Sequence, residues 1–504
     1  MPIHNKFLLV LAIALLSTPR GALSDTFQER VLVEIRTDTE QQIDSLYGLK
    51  LNIDKREGSR FRVYVRPEEM EKLTHSGLPY TILTEIMTEE RAQRAIPGYC
   101  STTPWPCYYT PSRFDTESPP TGSLMEHLLD LHVQHPDITR LYDIGDSQDG
   151  AYDILAIKVS DNPDQDEVEP EVRIIAAIHG DETSSMMVAC SVLDWIVENY
   201  GTDAEATQIV QGAEVWFVPL VNPWGLAAQS RFNSRGIDLN RNFRGPNGND
   251  EPYNQPFTES ETRAIRDLTE VLGHRFTTSI SFHSGATLFN SVYNYTPAAT
   301  TDEPIFFSSR SGGPWGRADP SEHGLAEAYE RDVTTYGFWF TNGAEWYITR
   351  GDTNDWSYSE WGDLDTTVEV TTTKWPNSNQ IPFYTEQHRQ ATINYILKSF
   401  QGVSGRMTDN ATGQALDGRV EVTATESTYT AVPHAYKAVP TDPRLGDFHR
   451  ILQPGIYSMT CRAEGYAPLT IENIVVAADA TTEIDCSLVS IEGRQHRRPF
   501  GGPS

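Results

Sequence analysis

VRIIAAIHGDETSSMMVACSVLDWIVENY, residues 172–200, is the stretch on which the fold turns. Val172 to Ile178 is an almost unbroken apolar run, the pattern of a strand covered on both faces. From Ser184 to Tyr200 the apolar residues Met187, Cys190, Val192, Trp195 and Ile196 recur at helical spacing. His-Gly-Asp-Glu, 179–182, therefore sits where a strand ends and a helix begins. In open α/β sheets that carboxyl edge is where ligands bind.

His179 and Glu182 form a His-x-x-Glu pair, a spacing that recurs by chance and means little alone. It gains weight from His283, which follows the apolar stretch Ile280 to Phe282 and precedes the turn residues Ser284 and Gly285. Two histidines and a carboxylate supply three zinc ligands and leave one position open for water. Glu369, in TTVEVTTTK, is then free to act as the base. Between the ligands lies VNPWGLAAQSRFNSRGIDLNRNFRGP, 221–246, polar and rich in arginine. Guanidinium groups grip carboxylates through paired, charge-assisted hydrogen bonds, and Arg241 beside Asn240 fits that task. Arg231 fits stabilisation of an oxyanion, with Arg235 a competitor that spacing leaves open.

These blocks resemble the zinc metallocarboxypeptidases typified by the pancreatic enzymes. The resemblance rests on HGDE at 179–182, the R-x-N and D-L-N-R-N-F pattern over Arg231 to Phe243, and FHSG around His283. NGAEWY ending at Tyr347, NDWSY at 354–358 and TVEVTTTKWP around Glu369 complete it, in the family's order. It implies an α/β/α sandwich with a mixed, mainly parallel eight-stranded sheet over residues 100–402. It also implies that His179, Glu182 and His283 hold one zinc ion and that Glu369 activates the zinc-bound water. Arg231 would polarise the scissile carbonyl, Asn240 and Arg241 would clamp the terminal carboxylate of a peptide or protein, and Tyr347 would close over it. Trp356 and Tyr358 read as core.

The family places the floor of the side-chain pocket at Asn354. This position and Asn294 are neutral amides, so a basic terminal residue is not supported, and a neutral polar or apolar one is the expectation. The same metal site would also serve an amidase or deacylase acting on a non-standard or cell-wall peptide. A non-enzymatic binding protein would have to explain why the ligands and Glu369 are all present.

The rest of the 504-residue chain implies further domains. Lys6, the apolar Phe7 to Leu16 and Ala22-Leu23-Ser24 read as a secretory leader, 1–24, too short to span a bilayer. Residues 25–95 alternate as β-α-β-β-α-β, a ferredoxin-like plan that resembles the pro-segment covering the cleft of many secreted carboxypeptidases. TEERAQRAIPG, 88–98, is a cleavage point suited to its release. Beyond Gly402 the strands shorten: 418–424, 455–463, 471–476 and 482–488 predict a small β-sandwich over 403–490. It resembles the transthyretin-like domain of the regulatory carboxypeptidase branch, and a protein contact through it is an expectation. A disordered tail, 491–504, follows. With 40 basic residues against 70 acidic ones, nucleic acid is excluded as a partner. Five cysteines in a secreted chain invite pairing. Cys100 with Cys107 and Cys461 with Cys486 are the expected bridges, leaving Cys190 as a buried packing residue.

Overall fold

The computed structural model describes residues 30–49, 51–57, 59–87, 109–246, 255–308, 323–334, 338–374, 376 and 380–491. The leader, the 88–98 cleavage point, the Cys100–Cys107 pair and the tail from 492 lie outside the described residues.

Strands β1 (Arg30–Arg36), β2 (Asn52–Glu57), β3 (Arg60–Val65) and β4 (Tyr80–Met87) form an antiparallel sheet in the order β2-β3-β1-β4. Helices Glu40–Gly48 and Pro67–Ser76 connect β1 to β2 and β3 to β4, as the ferredoxin-like plan requires. Val33, Ile35, Phe61, Val63 and Leu73 give this sheet a core of its own.

The site is carried by a second sheet. Its strands are β5 (Thr139–Asp146), β6 (Asp153–Val159), β7 (Glu171–Ala176), β8 (Glu214–Val218), β9 (Phe276–His283), β10 (Thr287–Ser291), β11 (Trp339–Asn342) and β12 (Leu364–Val370). They run in the order β11-β10-β12-β9-β7-β8-β6-β5. The middle four, β12, β9, β7 and β8, are mutually parallel, whereas β5 and β6 complete one edge antiparallel and β10 runs antiparallel to β12. The result is the mixed, mainly parallel eight-stranded sheet that the resemblance implies.

Alternation along β7 shows why helices cover both faces. Val172, Ile174 and Ala176 join one apolar layer with Met186, Val192 and Ile196 of the helix Thr183–Asn199. Ile175 joins the other, with Ile265 and Leu268 of the helix Ser260–Glu270 and Trp356 of the helix Thr353–Trp361. Arg173, the one charge in the run, is buried on this second face, 3.1 Å from Asp363 and 3.1 Å from Asp365 and over the rings of Phe276 and Trp356. A buried guanidinium is tolerated only with such partners, and losing it would strand two carboxylates.

Two further sheets make the C-terminal sandwich: β17 (Asp447–Ile451), β13 (Gly402–Asp409), β22 (Cys486–Ser490) and β19 (Tyr466–Ala467) in one, and β15 (His434–Ala435), β14 (Gly418–Ser427), β18 (Gly455–Ala463) and β20 (Leu469–Val476) in the other, with the short β16 (Val439–Pro440) also paired to β14. The sequence reading did not anticipate β13 (Gly402–Asp409), and its single strand over 482–488 is two, β21 (Thr481–Glu483) and β22 (Cys486–Ser490). Both pair in parallel with β13. The chain between them presses on Gly405, where a Cβ would come within 1.9 Å of the Ile484 carbonyl oxygen. Cys461 and Cys486 are disulfide-bonded, tying β18 (Gly455–Ala463) of one sheet to β22 of the other. Cys190 is buried and free.

Asp302, fully buried in the part of the chain that carries the eight-stranded sheet, meets Arg450 Nη2 at 2.5 Å and the Lys437 backbone N–H at 3.0 Å. Gln453 Nε2 donates to the Pro304 carbonyl, and Lys437 Nζ to that of Ser359. The sandwich is thus clasped to the part of the chain that carries the eight-stranded sheet. No described helix is long and apolar enough to cross a membrane.

His388, on the helix Ile381–Leu397, is buried with Nε2 donating to the Val370 carbonyl at 2.9 Å and Nδ1 accepting from Tyr329 at 2.8 Å. Burial pulls its pKa down to about 4. The unfolded chain takes up this proton below about pH 6.5, whereas the folded chain does so only near pH 4. Its contribution to stability is therefore complete above the upper value and lost as pH falls through the window. We expect the drop in melting temperature between neutral and acid pH to shrink in a His388→Gln variant, as measured by differential scanning calorimetry.

Candidate active site

Each zinc-ligand candidate comes from a strand terminus or the turn after one. β7 ends at Ala176, Ala177 adopts a positive φ of 49°, and His179 follows in the turn that leads to the helix at Thr183. Gly180 is required by packing: a Cβ there would come within 2.1 Å of the Gly225 backbone. Asn222 holds this turn against the arginine segment, its Nδ2 lying 3.4 Å from the carbonyls of both Ile178 and Arg231. His283 is the last residue of β9, and in the parallel register it stands opposite Glu369 on β12.

The three side chains converge. Nδ1 of His179 lies 2.8 Å from Glu182 Oε1, Nδ1 of His283 lies 2.9 Å from Glu182 Oε2, and the two Nδ1 atoms are 3.2 Å apart. Ligands bound about 2.0–2.1 Å from a tetrahedral zinc stand about 3.3 Å apart, so the set fits the ion. The outer nitrogens also have partners. His179 Nε2 donates to Asp238 Oδ1 at 3.1 Å, which turns its Nδ1 lone pair inward, and His283 Nε2 lies 3.2 Å from Ser281 Oγ and 3.4 Å from Asn240 Nδ2.

Charge balance explains how so many ionised groups stay buried. Burial pushes the Glu182 carboxyl up, yet His179, Lys374 and His283 hold it well below the usual range. Burial likewise opposes the Asp238 charge, and Arg231, His179 and Arg241 overcome it. Lys374 Nζ sits 3.2 Å from Glu182 Oε1 and 3.3 Å from Asp181 Oδ1. Glu369 behaves differently: burial, reinforced by Glu182 nearby, raises it to about 8. Its Oε2 has no hydrogen-bond partner among the described residues. A carboxylate poised near neutrality and facing a cavity is equipped to exchange protons.

One cavity of about 40 Å³ is lined by His179, His283, Glu369, Arg231, Asn240, Arg241 and Tyr347, together with Asn290, Asn294, Gly343, Trp346, Thr349, Asp352 and Thr367. Glu182 sits just behind its two histidines. Arg231 pairs with Asp238 at 2.9 Å and reaches within 3.2 Å of His179 Nδ1, while Arg235 points elsewhere, largely exposed and paired with Glu259. Arg241 Nη1 donates to the Asn240 carbonyl at 2.7 Å, and Thr353 N–H donates to Asn240 Oδ1. Tyr347 is half-buried, its ring packed edge-on against Trp346.

Asn354 requires a correction. It is fully buried and does not line the cavity: its Oδ1 accepts from Thr367 at 2.9 Å, so Thr367 stands between it and the open space. Trp356 and Tyr358 are buried in the core. Asp238, Lys374 and Asp352 escaped the sequence reading. Asp238 could have been found as the acid of the D-L-N-R-N-F block, whereas nothing in the local pattern marks Lys374 or Asp352. We expect Asp238→Ala to weaken zinc binding by about 10- to 100-fold, read from competition with a chromogenic chelator.

A model of the zinc carboxypeptidase family matches residues 124–391. Mouse carboxypeptidase D is 30% identical over 379 residues, covering 71% of this chain and 26% of that protein. Carboxypeptidase SOL1 of Arabidopsis thaliana is 30% identical over 357 residues, covering 68% of this chain and 67% of the plant protein. The match thus spans about a quarter of the length of the mouse relative. Among solved structures, carboxypeptidase A from Helicoverpa armigera superposes with a TM-score of 0.57 at 16% identity, covering 73% of this chain and 97% of that one, a likeness of fold. On the family match and the fold that accompanies it, this chain belongs to the zinc carboxypeptidases.

Proposed function

We propose that the chain hydrolyses the C-terminal peptide bond of peptides or proteins that end in a free carboxylate. The supporting observation is that the His179–Glu182–His283 set, Glu369, Arg231 and the Asn240–Arg241 pair meet around a single cavity. His179, Glu182 and His283 would hold zinc, which when bound supplies the Lewis acidity that makes water a nucleophile near neutral pH. Asn240 and Arg241 bind the terminal carboxylate, and their mutual hydrogen bond orients the guanidinium before substrate arrives. Arg231, fixed by Asp238, donates to the carbonyl oxygen as it gains charge. Glu369 takes the proton of the attacking water and returns it to the leaving amine. Tyr347 closes over the bound terminus.

We also propose secretion and control by the N-terminal module. Secretion is supported by the leader pattern and by the Cys461–Cys486 disulfide, a bond that persists outside the reducing cytosol. Control is supported by the separate core of the β1–β4 sheet.

Two outcomes test these readings. Glu369→Gln is expected to keep zinc near one ion per chain by plasma mass spectrometry while lowering kcat by about 10²- to 10⁴-fold. Mass spectrometry of a peptide pool is expected to show single-residue loss from free but not amidated C-termini, increased by light trypsin treatment of the full chain. Normal turnover by the variant would remove Glu369 from the chemistry, and loss from amidated ends would favour an amidase.

A further inference from the structure

Away from the zinc ligands the cavity ends on Asn290, Asn294, Gly343, Thr349, Asp352 and Thr367. Among the described residues that line it, apolar side-chain surface comes chiefly from the rings of Trp346 and Tyr347, and no aliphatic side chain contributes. The polar groups are chained. Asp352 Oδ1 accepts from Asn294 Nδ2 at 2.9 Å and from the Asp355 N–H at 3.0 Å, and Asp352 Oδ2 accepts from Thr349 Oγ1 at 2.8 Å. Asn290 Nδ2 in turn donates to Asn294 Oδ1 at 2.9 Å.

This chain has a direction. A carboxylate can only accept, so Asn294 must present its NH₂ to Asp352 and its carbonyl to Asn290. Asn290 must then present its NH₂ to Asn294, which leaves its Oδ1 at the end of the relay. That oxygen belongs to a side chain only 5% exposed and has no hydrogen-bond partner among the described residues. Gly343 is what allows the two amides to lie there, since a Cβ would come within 1.6 Å of Asn294 Oδ1 and 2.6 Å of Asn290 Oδ1.

We propose that this oriented relay makes the pocket select a neutral C-terminal side chain that ends in a hydrogen-bond donor, with Asn290 as the contact and Asp352 as the positioning residue. The proposal rests on the carboxypeptidase reading and sharpens it. An aliphatic or thioether side chain would bury the Asn290 oxygen unpaired, and a carboxylate would set lone pair against lone pair. An ammonium would bring three donors to Asn290 Oδ1 and to Asp352 Oδ2, which holds a single donor, so Lys is the competitor that the test includes. A glutamine-like amide satisfies the oxygen without importing charge. The neutral polar half of the sequence expectation is thereby favoured over the apolar half.

The test is a set of peptides identical but for a C-terminal Gln, Glu, Met or Lys, the first three being nearly isosteric. kcat/KM is measured on the zinc-loaded full chain, with and without trypsin. Gln is expected to exceed both Met and Glu by roughly tenfold or more. Asp352→Asn keeps Oδ1 as the acceptor for both the Asp355 N–H and Asn294 Nδ2, so the relay holds its direction and the Gln-to-Met ratio is expected to stay within about threefold at unchanged zinc content. Asn290→Leu removes the contact oxygen at similar volume, and there the Gln-to-Met ratio should fall by about tenfold or more. Met or Glu released as fast as Gln would overturn the proposal, as would an unchanged Gln-to-Met ratio in a folded Asn290→Leu. Lys released faster than Gln would assign selection to the Asp352 carboxylate itself and also overturn it. Should that variant not fold, the wild-type ratios decide. Release of no residue from any peptide would instead sink the carboxypeptidase reading, and this inference with it.

Discussion

Parallel pairing of β7, β9 and β12 is the constraint from which the site follows. Hydrogen-bond register sets Ala176 beside Phe282 and His283 beside Glu369, so three chain segments far apart in sequence reach one edge of the sheet together. Parallel strands require covering layers on both faces, and those layers exclude water from the edge residues. Ionised groups persist there only as a closed set. Glu182 is balanced by two histidines and Lys374, and Asp238 by Arg231 and Arg241, so deleting one member exposes the charge of another. The lowered pKa values of Glu182 and Asp238 and the raised one of Glu369 are thus properties of one electrostatic arrangement.

Much of this was legible in the sequence, for identifiable reasons. The run from Val172 to Ile178 could hardly be other than a doubly covered strand, but nothing in it announces that Arg173 pairs with Asp363 and Asp365, nearly two hundred residues away. The metal-ligand candidates stand beside clear strand ends, so the structure brings them together where the pattern pointed. Arg231 and Arg235 share composition and neighbourhood, and three-dimensional packing separates them. One faces Asp238 beside the metal-ligand set, the other Glu259 at the surface.

The pocket wall was less legible because helical phase decides it. Asn354 and Asp352 are two residues apart at the start of one helix, and that offset turns Asn354 behind Thr367 while Asp352 reaches the cavity. The relay through Asn290 and Asn294 is invisible to spacing, since it depends on the direction of amide groups across separate strands and loops. β13 was missed for another reason. Its burial alternates from Val403 to Thr408, but the inward set is Val403, Gly405 and Met407, too few apolar side chains to show as a strand, and it is secured by parallel pairing with chain some eighty residues later.

The clasp between Asp302 and Arg450 bears on how the molecule comes apart. Both side chains are almost completely buried, and each lies in a different part of the chain. Removing either side chain alone, with the two parts still packed together, would leave the other charge buried without its partner, a cost of about 3–5 kcal/mol. The buried pair therefore makes the stability of the sandwich depend on its contact with the rest of the chain. Their boundary near Gln401 marks a change of architecture across which one apolar core, with Ile280 on one side and Val403 on the other, runs on.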